Sequence, residues 1–162
     1  MVMEVNGYRI APRAYLVRAY LGFTDLRNAD LRNAKLNGAD LEGANLASAR
    51  LIGADLTDVN LDDARLSGAD LTGVNLTGAN LWGADLSGAI LRGANLTGAD
   101  LTDANLSNAD LSPTGEIRGT GFGDRAGPGV GRVAAGNTNL TGANLQGANL
   151  AGAIMPDGSI HD

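Results

Sequence analysis

The stretch Asn28–Leu46, NADLRNAKLNGADLEGANL, carries a leucine at every fifth residue and an alanine two residues before each leucine. The leucine register runs without a miss from Leu16 to Leu111. It returns after an interruption at Leu140, Leu145, Leu150 and Met155. The position two residues before is almost always alanine, with Val59 and Val74 as small exceptions. A repeat this strict is the sequence signature of a stacked, solenoid-like architecture.

A period of five residues fits neither an α-helix nor a regular β-strand. In a helix, each step of five residues rotates by about 140° net, which would spread the leucines around the circumference. In a strand, successive leucines would alternate between opposite faces because five is odd. Each five-residue unit must therefore turn a corner, so that every leucine points inward. Glycine, asparagine and aspartate recur at these corners, and they tolerate the positive φ angles that tight turns need.

The runs Asn28–Leu46 and Gly93–Leu111, the latter GANLTGADLTDANLSNADL, resemble the repeats of pentapeptide-repeat proteins. This resemblance extends over most of the chain. It implies an all-β fold, a right-handed quadrilateral parallel β-helix (a β-solenoid) with four repeats in each coil. The central leucine and the alanine two residues before it would lie inside, and the other three positions of each repeat would lie outside.

The geometry that this resemblance implies makes the number of repeats informative. Twenty repeats up to Leu111 would form five coils, and four more from Leu140 to Met155 would form a sixth. About six coils at the spacing of β-strands give a rod of roughly 29 Å with a dry core. We expect a single domain. Its parts would be an N-terminal cap (1–15), coils one to five (16–112), a loop insertion (113–137), coil six (138–155) and a C-terminal cap (156–162).

The composition excludes several classes of protein. The 162 residues are enough for one domain, and the absence of cysteine excludes disulfides and thiolate metal sites. No apolar stretch approaches the length that crosses a membrane, and the N-terminus lacks the apolar segment of a signal peptide. We therefore expect a bacterial, cytoplasmic protein that does not associate with membranes.

The net charge of −6 is spread unevenly along the chain. Residues 1–50 carry seven Lys/Arg and five Asp/Glu, whereas residues 51–112 carry two arginines against nine aspartates. Direct binding of nucleic acid needs cations that neutralise phosphates. The acidic middle of the chain therefore argues against direct nucleic-acid binding.

Assigning the repeats to four faces places a large aromatic residue, Trp82, on the most acidic face. This face is built on Leu21, Leu41, Leu61, Leu81 and Leu101. Its carboxylates belong to Asp40, Glu42, Asp62, Asp63, Asp100 and Asp103. Two interpretations are open: Trp82 anchors a partner on a binding face, or the charge serves only to keep the solenoid soluble.

The repeat fails at residues 113–137, which are rich in glycine and have no usable periodicity. A loop this long is usually functional or disordered. The candidate interaction residues of this segment are Arg118, Phe122, Arg125 and Arg132. They could dock an acidic partner, and a tolerated insertion is an equally good interpretation. The motif Gly121–Ala126 matches G-x-G-x-x-A but lacks the flanking strand and helix of a dinucleotide site, so glycine-rich flexibility explains it better.

A further column aligns threonines, which we interpret as a hydrogen-bonded ladder that stabilises the stack rather than as an ice-binding array. Its members are Thr57, Thr77, Thr97 and Thr141. We predict no catalytic site, because the only histidine is His161, next to the last residue. We also predict no cofactor and no metal, because the carboxylates of Asp58, Asp62 and Asp63 diverge outward.

These features predict a non-enzymatic, rigid protein-interaction scaffold whose protein partner is unknown. We expect a monomer or weak end-to-end association through the open strand edges at the ends of the rod. The alternative is mimicry of DNA toward DNA gyrase or a related topoisomerase, as in the quinolone-resistance branch of the family. Duplex DNA of the same length carries about 17 charges, whereas the chain offers 18 acids offset by 12 bases on several faces.

Overall fold

The structure is a computed structural model that describes residues 3–114 and 138–161. Within these ranges there is no helix, and the wall of the molecule is built from single-residue parallel bridges rather than from long strands. Tyr15 pairs with Lys35, and Asp55 pairs with Asn75, each a step of 20 residues along the chain. Four five-residue units therefore complete one turn. Extended strands do not form, because each straight side is only a few residues long between corners.

Two short strands precede the first turn and form an antiparallel hairpin. They are β1 (Met3–Val5) and β2 (Tyr8–Ile10). The connecting residues Asn6 and Gly7 have φ angles of 50° and 78°, which is typical of the two-residue turn that matches the twist of a hairpin. The Asn6 side chain donates a 3.1 Å hydrogen bond to the Tyr20 carbonyl, and the Tyr8 hydroxyl accepts the Tyr20 N–H at 3.5 Å. In later turns, the corresponding N–H and carbonyl groups pair with the turn before. Tyr20 lies in the first turn, so the side chains of Asn6 and Tyr8 take that role.

The repeated leucines and alanines fill the interior. Every register leucine from Leu21 to Leu111 is 0% exposed, and Val59 and Val74 are buried at the alanine position. The sequence reading did not single out Thr24, which also occupies this inward position. Its hydroxyl is satisfied internally, because it donates a 2.6 Å hydrogen bond to the Leu21 carbonyl. Threonine is tolerated at this position, here and at Thr138, because its hydroxyl has a partner within the protein.

The corners follow from backbone geometry. In the repeats from Leu16 to Leu106 and from Leu140 to Leu150, the second residue after the leucine has a positive φ, such as 63° at Gly83 and 57° at Asp103. The alanine N–H that follows bonds back to the leucine carbonyl, as Ala19 does to Leu16 at 3.0 Å. This is the pattern of a type II turn, in which the third residue requires a positive φ. Glycine, asparagine and aspartate recur there because they tolerate that conformation.

The last turn is less covered than the others. The stack continues across the insertion, because Asn95 pairs with Asn139 and Asp110 pairs with Ile154. Above this turn, Ile160 pairs antiparallel with Ile154 and covers one side. The register leucines of this turn are only partly buried; they are Leu140, Leu145 and Leu150.

Candidate functional site

The acidic face predicted from the repeat is present as one continuous column. We call it the Trp82 face and define it as the outward positions of the repeats built on Leu21, Leu41, Leu61, Leu81, Leu101 and Leu145. Its alignment is fixed by the bridges that join Tyr20, Asp40, Asn60, Asn80, Asp100 and Asn144 in order. Trp82 lies on this face and is 44% exposed. The column therefore brings together the residues that the sequence assigned to it.

Two of its acids are part of the wall. Asp40 accepts hydrogen bonds from the Glu42 N–H at 3.2 Å and from the Asn60 side chain at 3.3 Å. Asp100 accepts the side-chain and backbone groups of Thr102 and the Asn144 amide. The hydrogen bond from the Thr102 side chain is the largest influence lowering the pKa of Asp100. These two half-buried carboxylates stabilise the ladder and are not free to bind a partner.

The carboxylates of the remaining acids of the Trp82 face form no hydrogen bond or ion pair in the described ranges; these acids are Glu42, Asp62, Asp63 and Asp103. The outward positions of this face hold no lysine or arginine in residues 3–114 and 138–161. Asp62 has the one buried side-chain oxygen, Oδ1, that lacks a hydrogen-bond partner in that part of the chain. These carboxylates form no ion pair in the described structure, and two cations, Arg27 and Arg65, line a groove together with Phe23 and Asp63.

Two further aromatic residues on this face were missed in the sequence reading. Tyr20 and Phe23 belong to its first turn and are 74% and 77% exposed. Gly22 stands between them without a side chain, and the Phe23 ring lies over Gly43 of the next turn. The register of the repeat was sufficient to place both aromatics on the same face as Trp82. We had assigned residues to this face by charge, and that criterion overlooked them.

The threonine column is fully committed to the ladder. The Thr77 hydroxyl donates to Asn75 at 2.7 Å and accepts from Asn95 at 3.0 Å. Thr97 repeats this arrangement with Asn95 and Asn139. Each of these two hydroxyls is engaged as donor and acceptor within the protein. This geometry favours the structural interpretation over an array that orders water.

The ion pairs of the described residues lie on other faces. Arg27 pairs with Asp25, Arg32 and Arg50 contact Asp30, and Arg92 pairs with Asp110. The hydrogen bond from the Arg27 side chain is the main influence that lowers the pKa of Asp25 to about 2. The Arg32 side chain likewise lowers the pKa of Asp30. These cations pair with acids of their own faces and form no ion pair with the acids of the Trp82 face.

Several sequence predictions fall outside this site. Arg118, Phe122, Arg125 and Arg132 lie outside the described residues. In the ranges that the structure describes, no group of histidine, cysteine or carboxylate side chains could hold a metal ion. Within the same ranges, no helix has the length and apolar character needed to cross a membrane.

The family profile of pentapeptide repeats (8 copies) matches residues 14–51, 39–78, 75–112 and 135–157. No functionally curated protein matches the chain. The matched residues include the whole of the Trp82 face from Tyr20 onward. The match agrees with the resemblance predicted from the sequence and with a right-handed β-helix.

Solved structures of pentapeptide-repeat proteins are similar to the chain. HetL, involved in heterocyst differentiation regulation in the cyanobacterium Nostoc sp. strain PCC 7120, is 37% identical over 92% of this chain and 65% of its own, with a TM-score of 0.37. A protein of the Arabidopsis thaliana thylakoid lumen is 27% identical over 88% of this chain and 72% of its own, with a TM-score of 0.47. QnrB1, a plasmid-mediated fluoroquinolone resistance protein, is 24% identical over 83% and 66%, with a TM-score of 0.45. The chain spans less than two thirds of the length of HetL.

Proposed function

Because the chain belongs to the pentapeptide-repeat family, we propose that it is a rigid, non-enzymatic scaffold that binds a protein partner through the Trp82 face. The observation that carries the proposal is Trp82 itself, a 44% exposed indole among carboxylates that form no ion pair in the described structure. Tryptophan is enriched among the residues that dominate binding energy at protein interfaces.

The architecture supports this use of the face. The Asp63 N–H donates to the Trp82 carbonyl at 2.9 Å, and the Trp82 N–H donates to Asn80 at 3.1 Å. The backbone that carries the indole is therefore fixed between two turns whose leucines are fully buried. A preorganised face loses little conformational entropy when a partner binds, so more of the contact energy appears as affinity.

The proposal is tested by site-specific photo-crosslinking followed by substitution. Benzoylphenylalanine replaces Phe23 on the Trp82 face, and in the matched control it replaces Tyr15, a 76% exposed aromatic of the same turn on another face. Any protein crosslinked through position 23 and not through position 15 is purified and its affinity for the scaffold is measured. We expect Trp82→Ala to weaken that affinity at least tenfold.

The control substitution is Ile90→Ala, which removes a 38% exposed apolar side chain from the opposite face. It should leave the affinity unchanged. Equal crosslinking through positions 15 and 23, or equal effects of the two alanine variants, would contradict binding through the Trp82 face.

DNA mimicry toward gyrase is the alternative proposal, and the charge distribution disfavours it. Asp25, Asp30 and Asp110 are paired with arginines, and Asp40 and Asp100 are committed to the ladder. The remaining outward acids are far fewer than the roughly one charge per 1.7 Å that duplex DNA presents. A supercoiling assay with purified gyrase separates the two proposals. Protection or inhibition of gyrase at micromolar protein would favour DNA mimicry. The absence of any effect would favour the scaffold.

A further inference from the structure

Along the axis of the Trp82 face, two turns that carry carboxylates lie between two turns that carry aromatic side chains. Tyr20 and Phe23 occupy the first turn, Glu42 the second, Asp62 and Asp63 the third, and Trp82 the fourth. Three steps of about 4.8 Å separate the first aromatics from Trp82, which places them about 14 Å apart along the axis. The acids lie between the two aromatic positions.

The charge in this interval is unsatisfied. Asp62 Oδ1 is buried and has no hydrogen-bond partner within residues 3–114 and 138–161. Glu42 and Trp82 occupy the same position of the repeat in the turns on either side of Asp62. The Asp62 side chain as a whole is only partly buried and its carboxylate makes no hydrogen bond or ion pair in the described ranges, so a cation brought by a ligand would gain an acceptor there.

We infer that the Trp82 face binds an extended, arginine-rich segment of a partner protein, with arginines at alternate positions. This inference rests on the proposed function and adds the chemistry of the partner. A guanidinium group stacks flat on an aromatic ring and also pairs with carboxylates through two parallel hydrogen bonds. The face offers both kinds of acceptor in one line.

The spacing selects an extended backbone. Alternate residues of an extended chain point to the same side, and residues four apart are separated by about 13 Å. The first arginine then stacks on Tyr20 and Phe23, the second pairs with Asp62, and the third stacks on Trp82. A helix of the same alternating sequence would place the first and third arginines only about 6 Å apart along its axis, so this sequence fits the face only as an extended chain.

The same features disfavour other polymers. Phosphate groups of nucleic acids and of anionic lipids would meet the unpaired carboxylates of Glu42, Asp62 and Asp63 and would be repelled. A protein segment can carry cations without carrying phosphate. The observations therefore favour a basic peptide chain as the occupant.

Trp82 is the only tryptophan of the chain, so its fluorescence reports directly on this face. The full-length protein is titrated with acetyl-Arg-Ala-Arg-Ala-Arg-amide and, as a control of equal charge and composition, with acetyl-Arg-Arg-Arg-Ala-Ala-amide. We expect a saturable change in Trp82 emission with the alternating peptide and at least fivefold weaker binding of the block peptide. Asp62→Asn should weaken the binding of the alternating peptide at least fivefold.

The matched control is Asp70→Asn on the opposite face, where asparagine can still accept the Thr72 hydrogen bonds. It should leave binding unchanged. Equal affinity for both peptides, or equal effects of the two asparagine variants, would show unspecific attraction between charges and overturn the inference. If no peptide binds while the crosslinking experiment identifies a partner that requires Trp82, only the arginine-rich chemistry is wrong. If no Trp82-dependent partner exists, the proposed function itself fails.

Discussion

Thr138 Oγ1 lies 3.4 Å from the carbonyl oxygen of Ser112, so the two ends of the segment 113–137 meet at one point of the solenoid wall. The same hydroxyl donates to the Leu91 carbonyl at 2.9 Å and accepts the Gly93 N–H at 3.0 Å. Ser112 and Thr138 are each 5% exposed. Thr138, which follows the insertion, thus contacts Ser112, which precedes it, and both are held to Leu91 and Gly93 of the preceding turn.

This closure predicts that the insertion can be removed without loss of the fold. Deleting residues 113–136 joins Ser112 to Asn137 and gives the sequence LSNTNL, which matches the form of LSNADL at Leu106–Leu111. Shortening a segment whose flanking residues already meet changes the free energy of unfolding by only about 1–2 kcal/mol. We expect the far-UV circular dichroism spectrum and a cooperative thermal melt to be retained. Loss of cooperativity would mean that the insertion is part of the folded wall.

The inward leucine ladder predicts an unequal response at neighbouring positions. Leu66 is 0% exposed, and Ser67 beside it points outward. Leu66→Asp buries an unpaired charge and should abolish folding, whereas Leu66→Ala should cost about 2–5 kcal/mol in urea unfolding. Ser67→Ala, the outward control, should stay within about 0.5 kcal/mol of wild type. A cooperative melt of Leu66→Asp near the wild-type temperature would contradict an inward Leu66.

The repeat alone was enough to predict the family, the β-helix and the inward leucines, because in a solenoid the residue that recurs with the period of the turn is the one that is buried. It could not predict which outward acids are free. That depends on neighbours one turn away, such as Asn60 beside Asp40, and their hydrogen bonds appear only once the turns are stacked. Tyr20 and Phe23 were predictable from the register. The segment that contains Arg118 and Arg132 has no repeat, so no periodic argument reaches it.

The corner conformation predicts an order among substitutions of one glycine. Gly88 has a φ of 63°, and a Cβ atom there would meet no atom within 4 Å. Gly88→Ala therefore costs only the backbone strain of a left-handed residue, about 1–2 kcal/mol. Gly88→Asn should cost less, because asparagine tolerates this conformation and Asn108 adopts it one turn further with a φ of 58°. Urea unfolding of both variants measures the difference, and equal costs would show that φ does not govern this corner.

The Thr–Asn ladder predicts that the hydroxyl group of a threonine contributes more to stability than the shape of its side chain. Thr77→Val keeps the volume but removes the donor to Asn75 and the acceptor for Asn95. Losing both hydrogen bonds should cost about 1–3 kcal/mol, because Asn95 then keeps only a 3.5 Å hydrogen bond to Asn75. Thr77→Ser keeps the hydroxyl and should cost clearly less. Chemical denaturation of the two variants provides the comparison, and a neutral Thr77→Val would mean that water replaces the lost hydrogen bonds without cost.

The Asp25–Arg27 pair predicts a specific part of the acid sensitivity. Two hydrogen bonds of 2.8 and 2.6 Å from the Arg27 side chain lower the pKa of Asp25 from 3.8 to about 2. Because the pKa in the folded state lies below that in the unfolded state, the stabilising effect is fully present above the unfolded value. It is lost as the pH falls through 3.8 toward about 2. In this window, the urea midpoint of the wild type should fall more steeply than that of Arg27→Gln, which lacks the pair.

Arg18→Gln is the control, because Arg18 forms no ion pair within the described residues, and its profile should parallel the wild type. Parallel profiles for wild type and Arg27→Gln would show that the pair is too well solvated to affect stability, as exposed ion pairs often are.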